Sequence, residues 1–196
     1  MIIDRDQALF GSAPGLPDAA FAHDGLITKR VVRASALAHL RPLPGQLLWD
    51  VGTGAGSISV EWCRGADGAR AIGIERRAER AERALANADR LTVPGAFTLA
   101  EGDAEEMLRE LPAPHAVFVG GGGSMTVLEI AHAALPEGGR LVLHGVTIEA
   151  EMLAVAAQER WGGELCRIQV ETAAPLGGLR GWTPARTVIQ WALVKE

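Results

Sequence analysis

The stretch LLWDVGTGAGSISVEWC, from Leu47 to Cys63, constrains the fold more than any other part of the chain. An apolar run of strand length meets three glycines in five positions, Gly52, Gly54 and Gly56, and then resumes with helical spacing. Glycine takes positive φ at no steric cost, so the pattern predicts a strand from Gln46 to Val51, a sharp turn, and a helix from Ser57 to Arg64 folded back on the strand. A strand that feeds directly into a helix is the first half of a parallel β-α-β unit. Ligands of such sheets gather at the carboxyl ends of the strands.

The rest of the chain keeps switching period. Strands are expected at Arg70 to Glu75, Phe97 to Ala100, Ala116 to Val119 and Arg140 to His144. Between them fall helices at Arg77 to Leu91, Ala104 to Glu110, Met125 to Leu135 and Glu149 to Trp161. A helix also precedes the glycine turn, because TKRVVRASALAHL places Val31, Val32, Leu37 and Leu40 at apolar positions, with Thr28 as its cap and Pro42 as its end. Two last strand-like runs, Leu165 to Glu171 and Arg186 to Leu193, have no helix between them and are expected to pair antiparallel. Their connection, TAAPLGGLRGWTP, reads as a long loop of the kind that carries function. The expected class is α/β, Rossmann-like, with a mostly parallel seven-stranded sheet and an antiparallel last strand.

Residues 1–24 are rich in Gly, Pro, Ala and Asp without periodicity, which predicts an N-terminal arm or interdomain linker ahead of one folded domain at 25–196. A chain of 196 residues that is 48% hydrophobic is long enough for one substantial core. It has no apolar run of membrane-spanning length, and MIIDRDQALF lacks the basic end and apolar centre of a secretory signal, so a cytoplasmic protein away from the membrane is expected. A net charge of -5 and the lack of a basic tail argue against a nucleic-acid partner. Cys63 and Cys166 belong to no CxxC or Cys/His cluster, so neither a disulfide framework nor a metal site is expected.

Three ligands use a glycine-rich strand-to-helix turn, and spacing separates them. A phosphate-binding P-loop needs a lysine that this turn lacks, and the dinucleotide fingerprint needs a third glycine where Ser57 stands. What remains is a turn whose backbone approaches a ligand closely, preceded by Asp50, whose carboxylate suits an ammonium group. S-adenosylmethionine carries such a group, a carboxylate for backbone N–H donors, and a ribose diol that wants a bidentate acceptor. Glu75, about 25 residues beyond Asp50, is placed as that acceptor. Asp103 and the backbone of Ala104 are placed to meet the adenine edge. On this reading the fold is a class I S-adenosylmethionine-dependent methyltransferase. Taken singly, the glycines also suit a structural turn, and Glu75 the start of a solvated helix.

The segments HDGLITKRVVRA, LLWDVGTGAGSISVEW, AIGIERRAERAERALANADRL, EGDA and LPAPHAVFVGGG resemble the decarboxylating precorrin C5,15-methyltransferases of cobalamin biosynthesis. The chain is more closely similar to their T-type part, over nearly its whole length from Gly15. The resemblance implies methylation at C15 of a reduced precorrin-6 tetrapyrrole, decarboxylation of the ring C acetate, and a separate domain, fused or free, that methylates C5. It implies a homotetramer with the last strands at its interfaces, and no metal or additional cofactor. By motif position it carries cofactor contact onto Thr28, Gly52, Thr53, Gly54, Ala55, Gly56, Glu75 and Ala104.

The chain departs from the family at two places. His115 stands where the family usually has Asp, and HGVT, His144 to Thr147, where it usually has Asn-Ala-Val-Thr. His115, at a strand start, is expected to be structural. His144, at a strand end facing the expected pocket, is the candidate for substrate contact or catalysis. A tetrapyrrole's acetates and propionates call for cations, and Lys29, Arg33, Arg180 and Arg186 are the candidates. Trp182 suits either a wall of the macrocycle site or a subunit interface. The run ERRAERAER reads as a solvated helix face with pairs such as Glu79 and Arg83. Two other functions share the cofactor half: an RNA or protein methyltransferase, and a non-catalytic S-adenosylmethionine-binding regulatory module. Against nucleobase amino-methylation, VGGGGSM lacks an Asp/Asn-Pro-Pro-aromatic motif.

Overall fold

The computed structural model describes residues 11–196; the first ten residues of the expected arm lie outside the described residues. Helix α1 (Arg30–Leu40) leads into β1 (Leu47–Val51), and helices then alternate with strands: α2 (Ser57–Gly65), β2 (Arg70–Glu75), α3 (Ala78–Leu91), β3 (Phe97–Glu101), α4 (Ala104–Met107), β4 (Ala116–Val119), α5 (Met125–Ala134), β5 (Arg140–Gly145) and α6 (Ile148–Trp161). Four strands close the chain: β6 (Glu164–Ile168), β7 (Glu171–Leu176), β8 (Leu179–Pro184) and β9 (Val188–Val194).

Seven strands form one sheet in the order β3-β2-β1-β4-β5-β9-β6. The pairings from β3 through β5 are parallel, and β9 runs antiparallel to both β5 and β6. The class read from the sequence is the one found. β1 and β4 are buried at every position because helices cover both faces, which is why LLWDV and AVFV show no alternation. The pleat still divides them. Leu48 joins a core with Leu37, Trp62 and Phe97, whereas the next residue, Trp49, joins another with Leu128, Leu141 and Trp191. Strand order reverses between β1 and β4, so a crevice opens at their carboxyl ends.

Several expectations are corrected. Thr28 does not cap α1, which begins at Arg30 with Lys29 at the cap position and no side-chain cap bond. α4 ends at Met107 rather than Glu110, because the amides of Arg109 and Glu110 turn back on the carbonyls three residues earlier and tighten the chain toward Pro112. TAAPLGGLRGWTP is not a loop but the β7–β8 hairpin, turning at Gly177 with φ +59. Its side chains are mostly exposed, so neither face carried an apolar alternation to read. Arg83 pairs with Asp24 at 3.4 Å, and Arg80 with the same carboxylate at 3.0 Å, so these arginines of α3 bind the arm, and the expected Glu79–Arg83 ion pair is not found among the described residues.

The arm's described part, 11–24, lies against α2 and α3, with Leu16 and Phe21 in the core. Arg33 is the hub of this docking. Its guanidinium pairs with Glu61, donates to Asp18 Oδ1 at 3.1 Å and to the carbonyls of Leu16 and Thr28, and lies over the Phe21 ring. With 0% exposure it cannot reach a substrate carboxylate, which corrects its assignment as a substrate cation. Both cysteines are free, and burial pushes the Cys63 thiol up to about 12, keeping it an unreactive core residue. Among the described residues no helix is long and apolar enough to cross a membrane.

Candidate active site

The turn after β1 is held from both sides. The amides of Gly52 and Thr53 both donate to the Ile74 carbonyl of β2, at 2.9 and 3.1 Å, and the Gly56 amide closes the turn on the Thr53 carbonyl at 2.8 Å. Gly52, Gly54 and Gly56 all have positive φ, of +70°, +56° and +72°. Two of them also serve close approach: a Cβ on Gly52 would lie 2.6 Å from the Gly121 carbonyl oxygen, and one on Gly56 would lie 3.2 Å from the Ala84 Cβ. Gly54 differs. A Cβ there would meet nothing nearer than 3.8 Å, so this residue faces open space.

Asp50 locks the turn to α2. Its Oδ2 accepts from the Thr53 hydroxyl at 2.7 Å, the Ser59 hydroxyl at 2.6 Å and the Ser59 amide at 3.2 Å. Burial pushes its carboxyl above the ordinary value, against the pull of those donors. A nearby cationic ligand group would restore the charged form. Glu75, 7% exposed at the end of β2, accepts from the Gly54 amide at 3.2 Å and from the Arg77 amide at 3.0 Å. Each carboxylate oxygen keeps acceptor capacity beyond those bonds.

These groups share one cavity of about 900 Å³ at the carboxyl ends of the strands. Thr28, Lys29, Asp50, Gly52, Thr53, Gly54, Ala55, Glu75, Asp103, Ala104, His144 and Arg186 all line it. Gly56 does not, being turned toward Ala84. Arg33 is sealed in the core, and Arg180 stands on the exposed β8 strand away from the lining. His115 is structural as expected: its Nδ1 accepts from the Leu47 amide at 3.1 Å. Asp103 caps α4, accepting from the Glu105 amide at 2.9 Å.

Sequence reasoning missed part of the wall. Gly120 to Gly122 face the turn across the crevice, and Phe118, Ile168 and Val170 supply apolar surface. The four consecutive glycines after β4 were the available signal, since a second glycine-rich strand end next to the first permits backbones to approach. The mouth is also more cationic than expected for a chain of net charge -5: Lys29, Arg30, Arg76, Arg77, Arg80 and Arg186 line it, against Asp18, Asp50, Glu75 and Asp103. Arg186 also lines an adjoining cavity of about 610 Å³ with Arg167 and Thr147, and it has no ion pair among the described residues.

S-adenosylmethionine fits the donor and acceptor set present. The open face at Gly54 admits a close ligand, Glu75 offers two carboxylate oxygens to a diol, and Asp50 offers a buried carboxyl, pushed toward its neutral form by burial, that a neighbouring ammonium group would hold charged. Among the described residues no group of three or more His, Cys, Asp or Glu side chains is placed to hold a metal ion.

Residues 19–195 match the family model described as "Precorrin methyltransferase domain". The chain is 47% identical over 193 residues to the decarboxylating precorrin-6Y C(5,15)-methyltransferase of a Sinorhizobium species, covering 98% of this chain and 46% of that protein. It thus spans about half the length of that curated relative. It is 34% identical to a Pyrobaculum aerophilum protein named "Probable cobalt-precorrin-6B C(15)-methyltransferase (decarboxylating)", covering 90% of this chain and 94% of that one. Its structure is similar to the crystal structure of the C-terminal domain of precorrin-6Y C5,15-methyltransferase from Rhodobacter capsulatus, with a TM-score of 0.89, 44% identity, and coverage of 95% of this chain and 100% of that one. A chain that matches this family model over residues 19–195 and shares 47% identity with a precorrin-6Y methyltransferase over 98% of its own length belongs to the precorrin methyltransferase domain family.

Proposed function

We propose that this domain binds S-adenosylmethionine and methylates C15 of a reduced precorrin-6 tetrapyrrole, with loss of the ring C acetate carboxylate as carbon dioxide. The observation that carries this reading is the single cavity of about 900 Å³ in which Glu75 and the Gly54 face lie beside the cations Lys29, Arg76, Arg77 and Arg186. The names of the Sinorhizobium and Pyrobaculum relatives supply the position of methylation and the decarboxylation.

When bound, S-adenosylmethionine supplies an activated, electrophilic methyl group. The chain's own part is to orient and to exclude water. Glu75 would hold the ribose, the cavity-facing side of the turn from Gly52 to Ala55 would lie against the methionine end, Asp50 would face the ammonium group, and Asp103 with the Ala104 backbone would border the adenine. Lys29 and Arg186 at the rim grip the macrocycle's carboxylates. The apolar wall of Phe118, Ile168 and Val170 desolvates the reacting edge, which favours loss of a carboxylate whose charge is poorly solvated. No dedicated nucleophile is needed, because the meso carbon of a reduced tetrapyrrole is itself enamine-like.

A homotetramer and a C5-methylating partner domain belong to the same reading, as does a cytoplasmic location. Exposed Leu176, Leu179 and Trp182 on the β7–β8 hairpin support assembly through the last strands. The test is incubation with reduced precorrin-6 and S-adenosylmethionine, followed by mass spectrometry of the tetrapyrrole. Gain of one methyl and loss of one carbon dioxide is expected; binding of cofactor with no change in tetrapyrrole mass refutes the reading. Light scattering on the purified chain tests the tetramer.

A further inference from the structure

One buried polar atom of a cavity-lining residue has no partner among the described residues. Among the described residues, His144 Nδ1 is the only buried side-chain nitrogen or oxygen without a hydrogen-bond partner. Its other ring nitrogen is firmly held: Nε2 lies 2.8 Å from Gln190 Oε1, across the β5–β9 pairing that sets His144 opposite Gln190. The same oxygen accepts from the Ser35 hydroxyl of α1 at 3.0 Å, and the Gln190 amide nitrogen faces Cys166 Sγ at 3.8 Å. An amide oxygen can only accept, so Nε2 carries the imidazole proton and Nδ1 carries a bare lone pair. The Phe118 ring stands edge-on to the imidazole at 5.1 Å between centroids. Burial lowers the His144 pKa to about 4, so the ring is neutral at physiological pH. An unpaired buried acceptor is costly, and two residues, Ser35 of α1 and Gln190 of β9, are spent on fixing this one.

We propose that Gln190 and Ser35 hold His144 in its Nε2–H tautomer so that Nδ1 accepts a hydrogen bond from an N–H group of the bound tetrapyrrole. The inference rests on the functional reading above. A reduced tetrapyrrole carries N–H donors inside the ring and carboxylate acceptors around it. A neutral lone pair attracts the first and repels the second, whereas the rim cations do the reverse. His144 and the rim cations Lys29 and Arg186 therefore set opposite chemical demands in one cavity, and together they favour one orientation of the macrocycle. In this arrangement His144 touches substrate, and Gln190 and Ser35 are positioning residues.

The experiment has two arms. Long-range proton–nitrogen NMR on nitrogen-15-labelled protein reads the tautomer directly: a protonated Nε2 and a bare Nδ1 are expected in the free protein, with the Nδ1 signal shifting when reduced precorrin-6 is added alongside S-adenosylhomocysteine. In kinetics, His144→Phe and Gln190→Leu are expected to raise KM for the tetrapyrrole roughly three- to tenfold, the worth of one hydrogen bond. Their affinity for S-adenosylhomocysteine, measured by calorimetry, stays at the wild-type value and reports that they are folded. His144→Asn, which keeps an acceptor, is expected to recover part of the loss. A protonated Nδ1 in the free protein overturns the proposal, as does tight tetrapyrrole binding by wild type with KM unmoved in both variants. A wild-type protein that binds S-adenosylhomocysteine but no tetrapyrrole overturns the functional reading along with it.

Discussion

Glu75 Oε2 accepts the backbone N–H of Gly54 at 3.2 Å, tying the end of β2 to the middle of the turn that follows β1. The second oxygen, Oε1, accepts from Arg77 at 3.0 Å. One side chain therefore shapes the turn and faces the ligand cavity. Glu75→Ala is expected to weaken S-adenosylhomocysteine binding by roughly tenfold or more, since hydrogen bonds to a charged group are worth about 1.5–3 kcal/mol. Titration calorimetry measures it, with NAD giving no heat. An unchanged constant would remove Glu75 from the ribose role.

The glycines of the turn are not equivalent. Gly52→Ala drives a Cβ to within 2.8 Å of three backbone atoms of Gly121 and is expected to destabilise the fold by roughly 2–4 kcal/mol, read as a lower urea midpoint. Gly54→Ala meets no atom within 3.4 Å and strains only φ, for about 1 kcal/mol. Its main effect is expected on cofactor affinity. Equal stability losses in the two variants would contradict this division.

Arg33 stabilises the fold rather than binding substrate. Arg33→Met leaves the 2%-exposed Glu61 without its cation, for an expected loss of roughly 3–5 kcal/mol and a drop in Tm of roughly 10 °C. Replacing Glu61 by Leu in the same chain is expected to restore little of it, because the Gly15 and Leu16 amides also donate to that carboxylate. At a temperature where the single variant is folded, its KM for the tetrapyrrole is expected to match wild type.

Arg186 and Arg180 looked alike in the sequence. Only Arg186 lines the cavity. Arg186→Ala is expected to raise KM for the tetrapyrrole roughly tenfold, the worth of one charge-assisted contact, while cofactor affinity holds. Arg180→Ala is expected to change neither in steady-state assays, and the opposite ranking would reassign the substrate cation.

The pH dependence of stability follows from His144, whose pKa is lowered to about 4 by burial, with the His39 charge adding to the effect and the Gln190 bond opposing it. An unfolded histidine titrates near 6.5, so between these values the unfolded chain binds more protons than the folded one, and stability rises with pH. The contribution is complete above pH 6.5 and is lost as pH falls toward 4. Between pH 7 and pH 5 it amounts to about 2 kcal/mol. Urea unfolding of wild type and His144→Asn at both values measures it: the variant is expected to lose less stability than wild type by about that amount.

The sheet was legible because its signals are local. LLWDV and AVFV are short apolar runs that each end at glycine. Gly52, Gly54 and Glu75 could be read for the same reason, since a strand end and the turn after it are adjacent in sequence, and parallel strands bring successive ends to one crevice. Backbone chemistry and period determined these by themselves.

What the sequence could not decide is which long side chains reach that crevice. Arg33 and Lys29 are four residues apart on either side of the start of α1, yet one is locked in the core by Glu61 and Asp18 and the other stands at the cavity mouth. The difference lies in where the arm docks and which carboxylates it brings. Likewise, nothing local distinguishes His144 from any polar strand end; its tautomer depends on Gln190, 46 residues later, and on Ser35, 155 residues from that glutamine. Local period sets secondary structure because it follows from bonded geometry. A side chain's role is set by the partners that distant segments supply, and those meet only when the sheet has closed.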